Sequence, residues 1–167
     1  MLPYDLNNLY TSITLTPIGR LVIRADEQEV YFIGFPDEIE EEHPSVLTRE
    51  ATQQLTDYFE GKRNQFDFPI KQKGTDFQQK VWRELIGIEA GNPISYAALS
   101  RKMSSPLAIR AIASANGKNN LMIVVPCHRV IGSDGKLVGY AGGLWRKRWL
   151  LDHESAMVSR GQSVMKL

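Results

Sequence analysis

Cys127 is the only cysteine in the 167-residue chain. A lone thiol cannot close an internal disulfide, build a multi-cysteine metal site or resolve an oxidised partner. The fold must therefore rest on its hydrophobic core, and 43% apolar residues over this length allow one compact domain or two small lobes. The same fact leaves Cys127 two uses, as a buried structural thiol or as a nucleophile. It lies in Val124-Val125-Pro126-Cys127-His128-Arg129-Val130. A nearby imidazole and a cationic field lower a cysteine pKa from about 8.5, so this setting predicts a thiol that titrates low.

The formal charge of +1 conceals a division. Residues 1–74 carry 7 Lys/Arg against 13 Asp/Glu, net −6, and residues 75–167 carry 13 against 6, net +7. Such segregation predicts a basic second lobe that meets a polyanion. It also fits two lobes that attract each other. The longest apolar run, Leu121–Val125, is too short to span a bilayer, and residues 1–10 lack the pattern of a secretory signal. Together with the single cysteine, this predicts a cytoplasmic protein, nucleoid-associated if bacterial.

Along the first lobe, Tyr10–Leu15, Leu21–Ala25 and Val30–Phe35 read as strands of an antiparallel meander. A helix from Ser45 to about Phe59 follows, with Leu47, Ala51, Leu55 and Tyr58 on one face. Phe66–Ile70 reads as one more strand, and the polar Lys71–Gly74 marks the lobe boundary. The second lobe opens on Thr75-Asp76-Phe77-Gln78, a capping box, ahead of an apolar stripe of Phe77, Val81, Leu85 and Ile88 flanked by Trp82.

Two short helices follow in tandem. Ser95 caps the first, Tyr96–Met103, and Ser105 caps the second, Leu107–Ala115, with Pro106 at its first position. On a basic lobe this pair resembles a helix-turn-helix, although plain helical hairpins have the same pattern. The second helix is slim: Ala108, Ala111, Ala113, Ser114 and Ala115 surround a single charge, Arg110. A slim helix can enter a narrow groove, where one arginine can hold a base stack open. Leu121–Val125 reads as a buried strand delivering Cys127, and Gly139-Tyr140-Ala141-Gly142-Gly143 as a loop able to approach a planar ligand. A final helix spans Leu144–Glu154, with Arg146, Lys147 and Arg148 on its solvated or phosphate-facing surface, and residues 155–167 show no pattern and are expected to be disordered.

These segments together resemble the O6-alkylguanine-DNA alkyltransferases, the methylated-DNA–protein-cysteine methyltransferases. The resemblance spans about Gly74 to Glu154. Its carriers are Gly74-Thr75-x-Phe77-Gln78-x-x-Val81-Trp82, Ser95-Tyr96-x-x-Leu99, Arg110-Ala111-Ile112-Ala113-x-Ala115-Asn116-Gly117-x-Asn119, Pro126-Cys127-His128-Arg129-Val130-Ile131-Gly132 and Gly139-Tyr140-x-Gly142-Gly143-Leu144. The implied fold is α+β. It joins a small antiparallel sheet with a helix (a ribonuclease H-like lobe, residues 1–74) to a mainly helical lobe with a helix-turn-helix, residues 75–154. The implied activity is irreversible, stoichiometric transfer of an alkyl group from O6-alkylguanine, with O4-alkylthymine a second candidate, after the base is flipped out of duplex DNA.

The resemblance also implies roles. Cys127 is the alkyl acceptor, His128 deprotonates it through a water, and Glu154 fixes the imidazole tautomer. Asn119 ties the segment before Cys127, and Tyr96 gives a proton or hydrogen bond to the departing base. Tyr96, Val130, Gly139, Tyr140, Ala141 and Gly142 line the base pocket. Arg110, Ala108, Ala111, Ala113, Ser114, Ser95, Arg129 and Ser133 meet DNA from the minor groove. No cofactor is implied. Some relatives bind zinc in the first lobe, but this one has no cysteine and only His43 there, so no metal site is expected. A monomer is expected, with cooperativity along DNA left open. Between the helices this chain has Met103-Ser104-Ser105-Pro106 where many relatives carry a glycine. The competing readings are a thiol hydrolase and a non-catalytic lesion sensor or helix-turn-helix DNA-binding protein. Hydrolysis leaves the slim helix unexplained, and the sensors related to this family lack the cysteine.

Overall fold

The computed structural model describes residues 9–105 and 107–165, with side chains to Gly161. The chain divides into two compact units, Met1–Gln72 and Lys73–Leu167. In the first unit, β1 (Tyr10–Thr16), β2 (Gly19–Ala25) and β3 (Val30–Gly34) form an antiparallel sheet in that order. The β1–β2 register runs from Tyr10↔Ala25 to Thr16↔Gly19. Leu21, Val22 and Ile23 of the central strand are all buried. Helix α1 (Val46–Phe59) packs on this sheet through Ala51, Leu55 and Tyr58, each 0% exposed. Its start is fixed by a capping box in which Ser45 and Thr48 each accept from the other's backbone N–H. The expected strand at Phe66–Ile70 reduces to one parallel bridge, Val30↔Ile70. Pro69 has no N–H to offer a ladder, and only its carbonyl is used, by the Val30 N–H at 2.9 Å.

The second unit begins with α2 (Asp76–Ile86), capped reciprocally by Thr75 and Gln78 as the sequence predicts. Val81, Trp82 and Leu85 are buried, and the Trp82 indole donates to the Ala115 carbonyl at 3.0 Å. This bond ties α2 to α4 (Ile109–Gly117). Between them, β4 (Ile94–Ser95) leads into α3 (Tyr96–Lys102), whose first turn is closed by the Ser95 hydroxyl accepting from the Ala98 N–H. Helix α4 begins later than expected and lacks a side-chain cap, with Ala108 at the N-cap. The Ser105 hydroxyl donates back to the Met103 carbonyl, and its own carbonyl closes a turn on the Ala108 N–H. The expected role of Pro106 lies outside the described residues. Ser104, in the turn between α3 and α4, adopts φ 53°. A non-glycine residue in that region costs about 1–2 kcal/mol.

The segment before Cys127 is not the expected strand. Leu121–Val125 folds into a tight turn in which the Val125 N–H donates to the Leu121 carbonyl at 2.9 Å and Ile123 takes φ 74°. A β-branched residue is an outlier there and carries on the order of 1–3 kcal/mol of strain. The turn persists because the Asn119 side chain pins both ends: its Oδ1 accepts from the Leu121 N–H at 3.0 Å and its Nδ2 donates to the Val125 carbonyl at 2.7 Å.

The chain then passes through a single 3-10 turn, Cys127–Arg129, into β5 (Val130–Ile131), which pairs in parallel with β4. Helix α5 runs from Leu144 to Met165, which corrects the expectation of a disordered tail from Ser155. Met157 is buried, and Val158 packs so closely on Gly91 that a Cβ added there would sit 2.8 Å from its methyl group. These contacts hold the helix beyond Glu154. Among the described residues no helix is long and apolar enough to cross a membrane.

Candidate active site

Cys127 sits at the start of the 3-10 turn and is 4% exposed. Burial pushes its thiol up, and hydrogen bonding by Asn119 and the charge of Lys147 only partly oppose this. The expectation of a low-titrating thiol is corrected: desolvation of the thiolate outweighs the cationic field, and the resting group is a thiol. Neither His128 nor Arg129 supplies that field at the sulfur: the His128 ring is neutral, and the Arg129 charge is paired with Glu154.

His128 and Glu154 are each 0% exposed, and Nε2 of the ring lies 2.8 Å from Oε2 of the carboxylate. Burial lowers the His128 pKa more than Glu154 raises it, so the ring is neutral. Burial alone would raise Glu154, but the hydrogen bonds from His128 and Arg129 and the charge of Arg129 hold it well below the usual carboxylate range. A neutral ring facing a carboxylate carries its proton on Nε2. Nδ1 is left as the acceptor, buried and, among the described residues, without a hydrogen-bond partner. Glu154, in α5, is the acceptor that faces Nε2.

Arg129 completes this cluster and is 5% exposed. Its Nε and Nη2 donate to the two Glu154 oxygens at 2.8 and 2.9 Å, and its Nη1 donates to the Ile88 carbonyl at 2.6 Å. All three nitrogens are committed inside the protein, which removes Arg129 from the expected DNA contacts. Lys147 is a second correction. It is 0% exposed, and its Nζ donates to the carbonyls of Val130, Val138 and Gly139 at 2.7, 2.8 and 3.4 Å. Burial lowers it to about 8, against the pull of Cys127. A cation with three carbonyl partners clamps β5 to the loop before Tyr140.

Tyr96, at the first position of α3, is 9% exposed, and burial raises its pKa, so it remains a donor. Its oxygen accepts from Nδ2 of Asn116 at 3.1 Å. The Tyr140 hydroxyl is buried without a partner, and burial, Cys127 and Glu154 together raise it well above its ordinary value. Gly142 is required beside it: a Cβ there would lie 2.9 Å from Cε1 of Tyr140. Val130 and Gly142 are buried, while Gly139 and Ala141 are exposed. Arg110, Ala111, Ala113 and Ser114 share the exposed side of α4, opposite the buried Ile112, Ala115 and Asn116. Ala108 is half-buried, and Ser133 is exposed on the Gly132–Gly135 turn. Ser95 is occupied as a helix cap. Among the described residues no three His, Cys, Asp or Glu side chains gather as a metal-binding group.

Sequence reasoning missed Asn116 and Lys147. Asn116 lies one position beyond Ala115 on the buried stripe of α4, where a polar residue signals a partner. Lys147 precedes the buried Leu150, Glu154 and Met157 by three, seven and ten residues, a helical stripe that points inward.

Residues 76–156 match the family described as 6-O-methylguanine DNA methyltransferase, DNA binding domain, and residues 9–72 match its ribonuclease-like domain. The constitutive methylated-DNA–protein-cysteine methyltransferase of Bacillus subtilis is 43% identical over 147 residues, covering 81% of this chain and 87% of the relative. A methyltransferase of the same name from Methanosarcina acetivorans is 38% identical over 158 residues, covering 89% and 99%. The crystal structure of the Mycobacterium tuberculosis O6-methylguanine methyltransferase superposes with a TM-score of 0.81 at 37% identity, covering 89% of this chain and 94% of that one. A structure of the same protein in complex with DNA gives 0.79 at 38% identity. With the cysteine, histidine, glutamate and tyrosine placed as above, the chain belongs to the methylated-DNA–protein-cysteine methyltransferase family.

Proposed function

We propose that this chain repairs alkylated duplex DNA by moving an alkyl group from O6-alkylguanine onto Cys127, once and irreversibly, with O4-alkylthymine as a second substrate. The observation that carries the reading is the neutral His128. Its Nε2 is held by Glu154, and its Nδ1, one residue from the only thiol, lacks a hydrogen-bond partner among the described residues. A resting thiol suits a group protected from adventitious electrophiles. It gives up its proton only when the base is in place.

The exposed side of α4, narrow except for Ile109 and Arg110, enters the minor groove, and Arg110 fills the gap left by the flipped base. Unstacking costs a few kcal/mol, least for a poorly paired lesion, and this difference aids selection. Tyr140 and the backbone of Gly139–Gly142 line the pocket. His128 Nδ1 accepts the thiol proton through a bridging water, and the sulfur attacks the alkyl carbon. The carbon–oxygen bond breaks with its electron pair passing to the base, and Tyr96 donates toward the base so that it leaves neutral. The products are a thioether and the restored base. The proton taken from sulfur passes from His128 to solvent and Tyr96 recovers one from solvent, so both side chains end neutral and the net transfer is one proton from sulfur to base. A thioether has no ordinary reversal, so each chain acts once. The acidic unit, residues 1–74, is structural, and residues 75–154 carry the chemistry. The protein acts as a cytoplasmic monomer.

Cys127→Ser provides the test. It is expected to bind a duplex carrying O6-methylguanine about as tightly as the unmodified chain and to leave the lesion intact. Repair by this variant would remove Cys127 from the mechanism, and turnover of an acyl ester by the unmodified chain would favour hydrolysis.

A further inference from the structure

Asn116 is 3% exposed in α4 and belongs to none of the roles above. Its amide nitrogen makes two bonds, one to the Tyr96 hydroxyl oxygen at 3.1 Å and one to the Cys127 carbonyl at 3.3 Å. Its Oδ1 is buried with no partner. A purely structural asparagine has every reason to satisfy both amide atoms, since an orphaned buried acceptor costs about 1–3 kcal/mol.

The arrangement follows from the Cys127 carbonyl. Turning the amide over would satisfy Oδ1 with the Tyr96 hydroxyl proton, but it would also set Oδ1 against the Cys127 carbonyl oxygen, two acceptors face to face. The carbonyl of the nucleophile's own residue therefore fixes which way the amide points. An Asn amide nitrogen offers hydrogens and accepts none. Tyr96 consequently cannot donate to Asn116. Its oxygen is occupied as an acceptor, and its hydroxyl proton is kept for a different acceptor. Among the described residues Asn116 is the only hydrogen-bond partner that Tyr96 has.

We propose that Asn116 is a positioning residue for alkyl transfer: it holds the Tyr96 oxygen as an acceptor, so that the O–H bond is presented to the departing base, and it takes this orientation from the Cys127 carbonyl. The inference rests on the reading of Tyr96 as the donor to the base. It adds a link between nucleophile and donor, in which the segment that carries the sulfur also aims the proton that the base requires. Without Asn116 the hydroxyl would lose the donor that fixes its orientation.

The test compares Asn116→Leu, nearly isosteric but without a donor, with Asn116→Asp, which offers only acceptors and would draw the Tyr96 proton to itself. Single-turnover transfer is measured at saturating O6-methylguanine duplex, beside the duplex dissociation constant and alkylation of Cys127 by iodoacetamide. Iodide leaves without a proton, so that reaction needs the nucleophile but not the donor. Transfer is expected to fall about tenfold in the leucine variant, where the donor is only misaimed, and about a hundredfold in the aspartate variant, the lower end of what a general acid contributes. Duplex affinity and the iodoacetamide rate should stay within about twofold, and in a Tyr96→Phe background Asn116→Leu should add less than about twofold, since the two residues act as one unit.

Equal losses in both reactions would make Asn116 a support for the cysteine loop and overturn the proposal. So would unchanged transfer, or full multiplication of the Asn116→Leu and Tyr96→Phe losses. Asn116→Ser, smaller and uncharged, replaces the leucine variant should that one not fold, with the same expected split. If the unmodified chain fails to transfer a methyl group from the same duplex, the function reading itself fails, and the two failures are thereby told apart.

Discussion

Arg129→Ala separates an internal strut from a DNA contact. The guanidinium makes two bonds to Glu154, at 2.8 and 2.9 Å, and one to the Ile88 carbonyl at 2.6 Å. Truncation leaves a carboxylate that is 0% exposed without its two-pronged partner, and the Ile88 carbonyl on the loop after α2 without the Arg129 donor. Removing one partner of a buried ion pair costs about 3–5 kcal/mol. For a chain of 167 residues, each kcal/mol lowers Tm by about 2–4 °C, so the fall should be about 6–20 °C by calorimetry. Arg129→Lys should recover little of this, because an ammonium cannot form the two-pronged contact. The dependence of log Kd for duplex DNA on log salt should keep its slope at temperatures where the variant is folded. A phosphate contact behaves oppositely: its loss leaves Tm nearly unchanged and lowers the salt slope by about 0.9. That outcome would refute the internal role and restore Arg129 to the DNA surface.

Other consequences can be measured in the same preparations. Lys147→Met removes a buried cation that opposes the upward shift of Cys127, so the thiol should titrate higher still, and iodoacetamide alkylation at neutral pH should slow by about tenfold. In the unmodified chain, burial raises the Cys127 thiol, so alkylation against pH should inflect above about 8.5, the value for a free thiol. The His128 pKa is lowered on folding, so its contribution to stability is present above the unfolded value of about 6.5 and is lost as pH falls below it. Glu154 is also lowered and adds a second loss as pH falls below about 4.3, so the denaturant midpoint should drop on acidification and not on mild alkalinisation. Ser104→Gly relieves a left-handed backbone at φ 53° and should raise stability by up to about 1 kcal/mol, read as a shift in the denaturation midpoint.

Local signals in the sequence located the starts of α1 and α2 and the sheet. Thr75 announces its helix through Gln78 three positions on, and the structure closes that capping box and a second one at Ser45. Three apolar runs separated by turn residues give the meander of β1 to β3. The errors come from long-range contacts. Leu121–Val125 is apolar and short, which cannot distinguish a strand from a buried turn; Asn119 decides, through bonds to Leu121 and Val125. Lys147 was read with Arg146 and Arg148 as a charged surface, although its spacing to Leu150 and Glu154 already placed it inside. Arg129 carries no local signal, since its carboxylate partner lies 25 residues away on another element. The thiol pKa was misread for a related reason: a histidine and an arginine adjacent in sequence are both turned to Glu154, and the depth of burial then decides.

The central claim is that the sulfur of Cys127 receives the alkyl group and retains it. Intact-protein mass spectrometry with peptide mapping, after incubation with a limiting amount of O6-methylguanine duplex, tests it most directly. The account predicts one methyl group per lesion lost, located on the Cys127 peptide and stable to dialysis. Loss of the lesion while Cys127 stays unmodified, or repeated repair by one chain, would contradict it.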